Sequence, residues 1–131
     1  MNGQLDIRLL LSDVDGTLVT QGKVLTEAAK AMARELHQAG IILAITSGRP
    51  PRGMSMLIEP LALQGAIAGF NGGVFVNPDL SVVESRGLDP ATARQTLDLI
   101  LNQGLDAWVY TQDEWLVRDL GGRMSRMRPG R

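Results

Sequence analysis

The sequence predicts an α/β protein built around a parallel sheet with helices on both faces, and three runs of residues carry that prediction. Residues 7–11 form an apolar run, broken only by Arg8, that stops at Ser12-Asp13-Val14-Asp15-Gly16. Ile41-Ile42-Leu43-Ala44-Ile45 stops in the same way at Thr46-Ser47-Gly48-Arg49, and residues 64–69 stop at Phe70-Asn71-Gly72-Gly73. Short apolar runs that end in polar, glycine-bearing loops and alternate with helical periodicity read as strands buried on both faces and joined by right-handed crossovers. The first run is expected to be the central strand.

The composition agrees with this class. A chain of 131 residues, 44% apolar and 21% charged, has the make-up of a soluble domain large enough for a real core. Aromatic residues are only 4%, so the core must rest on Leu, Ile, Val, Ala and Met. The lack of cysteine excludes disulfides and thiolate metal sites and suits a reducing compartment. No apolar stretch is long enough to span a bilayer, and residues 1–6 lack the basic region of a signal peptide. A cytoplasmic protein with no membrane partner is expected. Arg123, Arg126, Arg128 and Arg131 close the chain with no acid among them; without these four, 9 basic residues face 14 acidic ones. That balance argues against a nucleic-acid footprint.

The first strand ends in chemistry. Side chains two apart on an extended chain share a face, so Asp13 and Asp15 can address one site while Val14 packs the other way, and Gly16 permits a sharp turn. Two carboxylates this close repel each other unless a cation or a proton lies between them. Hard oxygen ligands at a strand end suit Mg²⁺ shared with a substrate phosphate. The plainer reading of Asp-x-Asp-Gly-Thr is a solvated turn.

Residues 19–24, with Gln21-Gly22-Lys23 at their centre, read as a small hairpin over the mouth of the site. Lys23 there reaches a phosphate or, in the plainer reading, is only solvated. Thr26 is the expected N-cap of a helix running to about Ala39, followed by Gly40. Ala29, Met32, Ala33 and Leu36 form its buried stripe, and His37, the only histidine, turns away from it. After the second strand, a hydroxyl, a glycine and free backbone N–H groups precede Pro50-Pro51, which opens the next helix; that combination is a ready anion site. Met54, Leu57, Ile58 and Leu61 continue with helical spacing. Asn71-Gly72 favours a tight turn.

Residues 74–76 and 81–84 read as a hairpin across Asn77-Pro78-Asp79-Leu80. Asp89-Pro90 caps and opens a second helix, with Ala93, Leu97, Ile100 and Leu101 as its buried face before Gly104. Residues 106–110 and 114–118 then pair as antiparallel strands, with Trp108, Tyr110 and Trp115 packing the sheet or bordering a pocket. Residues 121–131 have no apolar periodicity and are read as a disordered tail.

Asp13-Val14-Asp15-Gly16-Thr17 resembles the first signature of the haloacid dehalogenase (HAD) superfamily, mostly phosphatases and phosphotransferases, and Thr46-Ser47-Gly48-Arg49, one strand–helix unit later, resembles the second. Asn71-Gly72 is similar to a loop near the site in the type IIB, or Cof-like, branch. The resemblance implies a Rossmann-like core over residues 1–87, the start of an α/β cap over 88–120, and the tail. It implies Asp13 as nucleophile and Mg²⁺ ligand, and Asp15 as general acid and base with its main-chain carbonyl on the metal. Gly16, Thr17, Thr46, Ser47, Gly48, Arg49, Asn71 and Gly72 would bind substrate or phosphate. Ser47 is the expected phosphoryl contact with Thr46 as the alternative, and Arg49 orients substrate or forms a structural ion pair. The hairpin at 19–24 corresponds to a flap.

The activity implied is Mg²⁺-dependent hydrolysis of a small phosphate monoester, sugar phosphates included, through an aspartyl-phosphate. The later lysine and acidic pair of the family are not recognisable, since the only lysines are Lys23 and Lys30 and Asp113-Glu114 falls in the presumed cap. The expectation is therefore a C-terminally truncated member whose uncovered apolar sheet edge drives homo-oligomer formation. Its rival is a non-catalytic remnant that binds Mg²⁺ or phosphate weakly or only self-associates. A phosphoacceptor receiver domain fits less well, because no aspartate ends the strands at Ile45 or Gly69.

Overall fold

In the computed structural model, which describes residues 6–111, 115–118 and 124–127, the first of the two acids closes strand β1 (Leu9–Asp13). The chain divides into two compact units, Met1–Arg86 and Gly87–Arg131. In the first, β2 (Ile42–Thr46), β3 (Ile67–Gly69), β4 (Val74–Val76) and β5 (Val82–Ser85) extend the sheet in the order β1-β2-β3-β4-β5. The first three strands are parallel, and β4 and β5 add an antiparallel hairpin. Asp13 lies opposite Thr46, and Thr46 opposite Ala68, so the carboxyl ends of three strands line up.

The helix between β1 and β2 begins and ends where its residues dictate. In α1 (Glu27–Gln38) the Thr26 hydroxyl oxygen accepts the Ala29 N–H at 3.1 Å, satisfying one of the free donors of the first turn. Gly40 takes the left-handed conformation (φ +71°) that ends the helix, with its N–H on the His37 carbonyl at 3.0 Å. Ala33 is buried and Ala29 and Leu36 are half-buried, but Met32 is 54% exposed. The apolar stripe is thus narrower than its spacing predicts, because α1 leans mainly on β2.

Ile45, Met54, Leu57, Ile67, Val14 and Val76 are the largest fully buried side chains, and they place the core beneath the strand tips. Residues from Pro51 to Leu57 form a 3₁₀ helix instead of the expected α-helix. Pro50-Pro51 opens it without a side-chain cap, yet Met54, Leu57 and Leu61 still reach the core. The third strand is shorter than expected and begins at Ile67.

The larger departure concerns β1. It was expected at the centre of the sheet and lies at its edge, with β2 as its one described neighbour. Leu9, Leu10 and Leu11 are 57%, 41% and 61% exposed, although their apolarity marks them for burial. No described residue covers that edge.

The second unit has α2 (Pro90–Asn102), capped by the Asp89 carboxylate, which accepts the Ala91 and Thr92 N–H groups at 3.0 Å. Ala93, Leu97, Ile100 and Leu101 are its half-buried stripe. An antiparallel sheet follows: β6 (Trp108–Tyr110), β7 (Trp115–Arg118) and β8 (Met124–Met127). Within the segment 121–131, residues Met124–Met127 pair with β7 as β8, a backbone pairing that side-chain periodicity does not announce. The rest of that segment lies outside the described residues. No described helix is long and apolar enough to cross a membrane.

Candidate active site

The site grows from the tip of β1. Val14 is completely buried and anchors the turn, while Asp13 is exposed and Asp15 half-buried, so the two acids flank an apolar peg. The turn is closed by its own backbone: Gly16 N–H donates to Val19 O at 3.1 Å, and Thr17, Leu18 and Val19 all donate to Val14 O. Gly16 sits at φ +78°, where a side chain is strained. Those bonds commit the Gly16 and Thr17 amides to the turn and leave the exposed Thr17 hydroxyl as the polar group there.

Asp15 is the most heavily engaged acid. Arg49 grips it bidentately, Nε on Oδ2 at 2.9 Å and Nη2 on Oδ1 at 2.6 Å, and Lys23 Nζ reaches the same Oδ1 at 2.7 Å. Bidentate guanidinium–carboxylate pairing fixes orientation as well as charge. The Arg49 and Lys23 hydrogen bonds hold the Asp15 carboxyl down from its ordinary 3.8 to about 2, which favours the carboxylate form. Lys23, for which solvation was the plainer expectation, is instead an ion-pair partner carried in by the hairpin. Its turn is closed by Lys23 N–H on Thr20 O at 2.9 Å and Thr20 N–H on Val24 O at 3.0 Å. The lysine follows the acid pair by one short turn, and that spacing was the available signal.

Of the two roles expected for Arg49, the ion pair is the one observed; its Nη1 also donates to the Gly53 carbonyl at 3.2 Å. The Asp13 carboxylate has no ion-pair or hydrogen-bond partner among the described residues, and its main-chain carbonyl accepts from the Ser12 hydroxyl at 2.9 Å.

At the tip of β2, Ser47 is 3% exposed, its hydroxyl oxygen accepts the Arg49 N–H at 3.2 Å, and its N–H donates to Ala68 O at 3.0 Å. Its own O–H proton donates to no described residue. Thr46 is half-buried and faces Asp13 across the sheet register. No described residue accepts the N–H of Asp15 or of Gly48, which leaves two main-chain donors near the strand tips.

The loop after β3 is tied to the loop after β2. Asn71 N–H donates to Ser47 O at 2.9 Å and Phe70 N–H to Arg49 O at 3.0 Å, with Phe70 and Asn71 at φ +52° and +54°. The Asn71 side-chain nitrogen lies 3.5 Å from where a β-carbon on Gly48 would stand, so Asn71 packs directly over that glycine. Gly72 shapes the turn and brings no side chain. The structure therefore gathers Asp15, Ser47, Gly48, Arg49 and Asn71 into one hydrogen-bonded corner, with Asp13 and Thr46 paired at the adjoining strand tips.

The groups at the β1 tip able to ligate a metal are oxygens, and no group of three or more His, Asp or Glu side chains that could hold one occurs among the described residues. A hard divalent ion fits the uncommitted Asp13 carboxylate. The Asp15 carboxylate is already shared by two cations, so its main-chain carbonyl, which accepts no described N–H, is the donor it has left.

Residues 10–127 match the family model of haloacid dehalogenase-like hydrolases. HMP-PP phosphatase of Cronobacter sakazakii is 28% identical over 110 residues, covering 84% of this chain and 40% of that protein. A phosphatase of the haloalkanoate (HAD) superfamily from Bacteroides thetaiotaomicron superposes with a TM-score of 0.78 at 22% identity, covering 92% of this chain and 44% of its own. A HAD subclass IIB sugar phosphatase superposes with a TM-score of 0.71 at 18% identity, over 84% and 43%. The chain thus spans less than half the length of these relatives. On the family match over most of its residues, the chain belongs to the haloacid dehalogenase-like hydrolases.

Proposed function

We propose that this chain is a phosphoric monoester hydrolase of the type IIB branch, acting in the cytoplasm on a small phosphorylated metabolite such as a sugar phosphate, with Mg²⁺ as cofactor. The observation that carries the reading is the contrast within the acid pair: Asp13 is uncommitted while Asp15, two residues on, is oriented by two cations. A carboxylate free of partners is a competent nucleophile. One Asp13 oxygen attacks phosphorus as the bond to the leaving alkoxide breaks; water then attacks the acyl phosphate, releasing inorganic phosphate and regenerating Asp13.

In this reading Asp15 delivers a proton to the leaving alcohol as it departs in the first step and recovers one from the attacking water in the second. The Ser47 hydroxyl and the Asp15 and Gly48 N–H groups receive the phosphoryl oxygens. Asn71, over Gly48, keeps that cradle in shape. Asp13 and the Asp15 carbonyl would hold Mg²⁺, which when bound offsets the charge of the transferring group.

The test is phosphate release from an aryl phosphate with and without Mg²⁺, repeated on Asp13→Asn. Mg²⁺-dependent release that vanishes in the variant supports the reading, and equal background in both refutes it. A second reading, a non-catalytic remnant that self-associates, is favoured by the exposed β1 edge, where Leu9, Leu10 and Leu11 face solvent.

A further inference from the structure

The phosphatase reading leaves open which cation meets the substrate's anionic group, and the two cations on Asp15 are not equivalent. Arg49 is spent on structure: Nε and Nη2 are on the Asp15 carboxylate, Nη1 is on the Gly53 carbonyl, and the side chain is 21% exposed. Lys23 has one hydrogen bond from its ammonium among the described residues, and its side chain is 60% exposed. An ammonium carries three N–H donors, so two remain. Lys23 also sits at φ +62°, a conformation a lysine adopts only where its surroundings impose it. The backbone bonds between Thr20, Lys23 and Val24 close that turn, and the ammonium reaches Asp15 just past the tip of β1. The other lysine, Lys30, is on α1 and pairs with Glu27 at 2.7 Å.

Charge points the same way. Arg49 by itself pairs the Asp15 carboxylate on both oxygens, so the exposed Lys23 is the member that can turn toward a second anion without breaking the corner. We propose that Lys23 is the substrate-recognition residue of this site, donating to the phosphate of the substrate while it remains beside Asp15, and that Arg49 is a positioning residue. The inference rests on the phosphatase reading, because it requires phosphate at the strand tips.

The test uses the full chain and inorganic phosphate as the probe, with affinity from calorimetry and the Lys23 ammonium nitrogen followed by NMR. Wild type should bind phosphate with a shift of the Lys23 signal. Lys23→Met should lose about tenfold or more in affinity while losing no more stability than the one exposed pair with Asp15 supplies, and Lys23→Arg should recover most of the affinity. Unchanged affinity in Lys23→Met, or a Lys23 signal that does not move while phosphate binds, overturns the assignment and leaves the phosphatase reading standing. Absence of phosphate binding in the wild type overturns both.

Discussion

The neighbours of Asp15 keep it ionised to lower pH than an ordinary carboxyl, and that gives the protein a pH signature. Because its folded carboxyl sits near 2 and below its ordinary 3.8, the ion pairs with Arg49 and Lys23 stabilise the fold fully above about pH 4 and are lost as pH falls toward 2. About a third of the side chain is exposed, so screening limits the contribution to about 1 kcal/mol. Urea unfolding of wild type and Asp15→Asn should therefore differ by a constant amount above pH 4 and converge below it; a difference independent of pH would contradict the pairing. A second residue-scale expectation concerns Gly65. A β-carbon there would stand 2.6 Å from the Leu43 carbonyl oxygen, so Gly65→Ala should cost about 2 kcal/mol, read as a lowered unfolding midpoint. Nothing in the local sequence flags Gly65, because its constraint comes from a neighbouring strand.

At the scale of elements, the ends of α1 and α2 were legible because capping is local chemistry. Thr26 and Asp89 both accept the N–H groups their types predict. Removing the first cap by Thr26→Ala should cost about 1 kcal/mol, checked by chemical denaturation, and Gly40→Ala a similar amount because of its φ of +71°. The acid pair, the Ser47 loop and the Asn71 turn were legible for the same reason: each is a short polar break after an apolar run. Less was legible where partners are distant in sequence. The Arg49–Asp15 pair spans 34 positions, and the expectation for Arg49 stayed divided until the fold closed the distance. The 3₁₀ segment at Pro51–Leu57 keeps helical spacing in its apolar residues, so periodicity alone did not separate it from an α-helix.

At the scale of the whole molecule, an apolar strand edge left in solvent sets behaviour. Composition marks β1 as a buried strand, yet only the assembled sheet reveals that it has one neighbour among the described strands. An exposed edge bearing three leucines is a template for pairing with another chain, so light scattering should show self-association that Leu11→Lys reduces. A strictly monomeric wild type would contradict that expectation. The central claim is the division of labour between Asp13 and Asp15, and one measurement reaches it directly. The chain is incubated with Mg²⁺ and an aryl phosphate, quenched in acid, reduced with borohydride and mapped by mass spectrometry. The account predicts trapping at Asp13 in the wild type and none in Asp13→Asn. Trapping at another residue, or phosphate release that continues undiminished in Asp13→Asn, would contradict it.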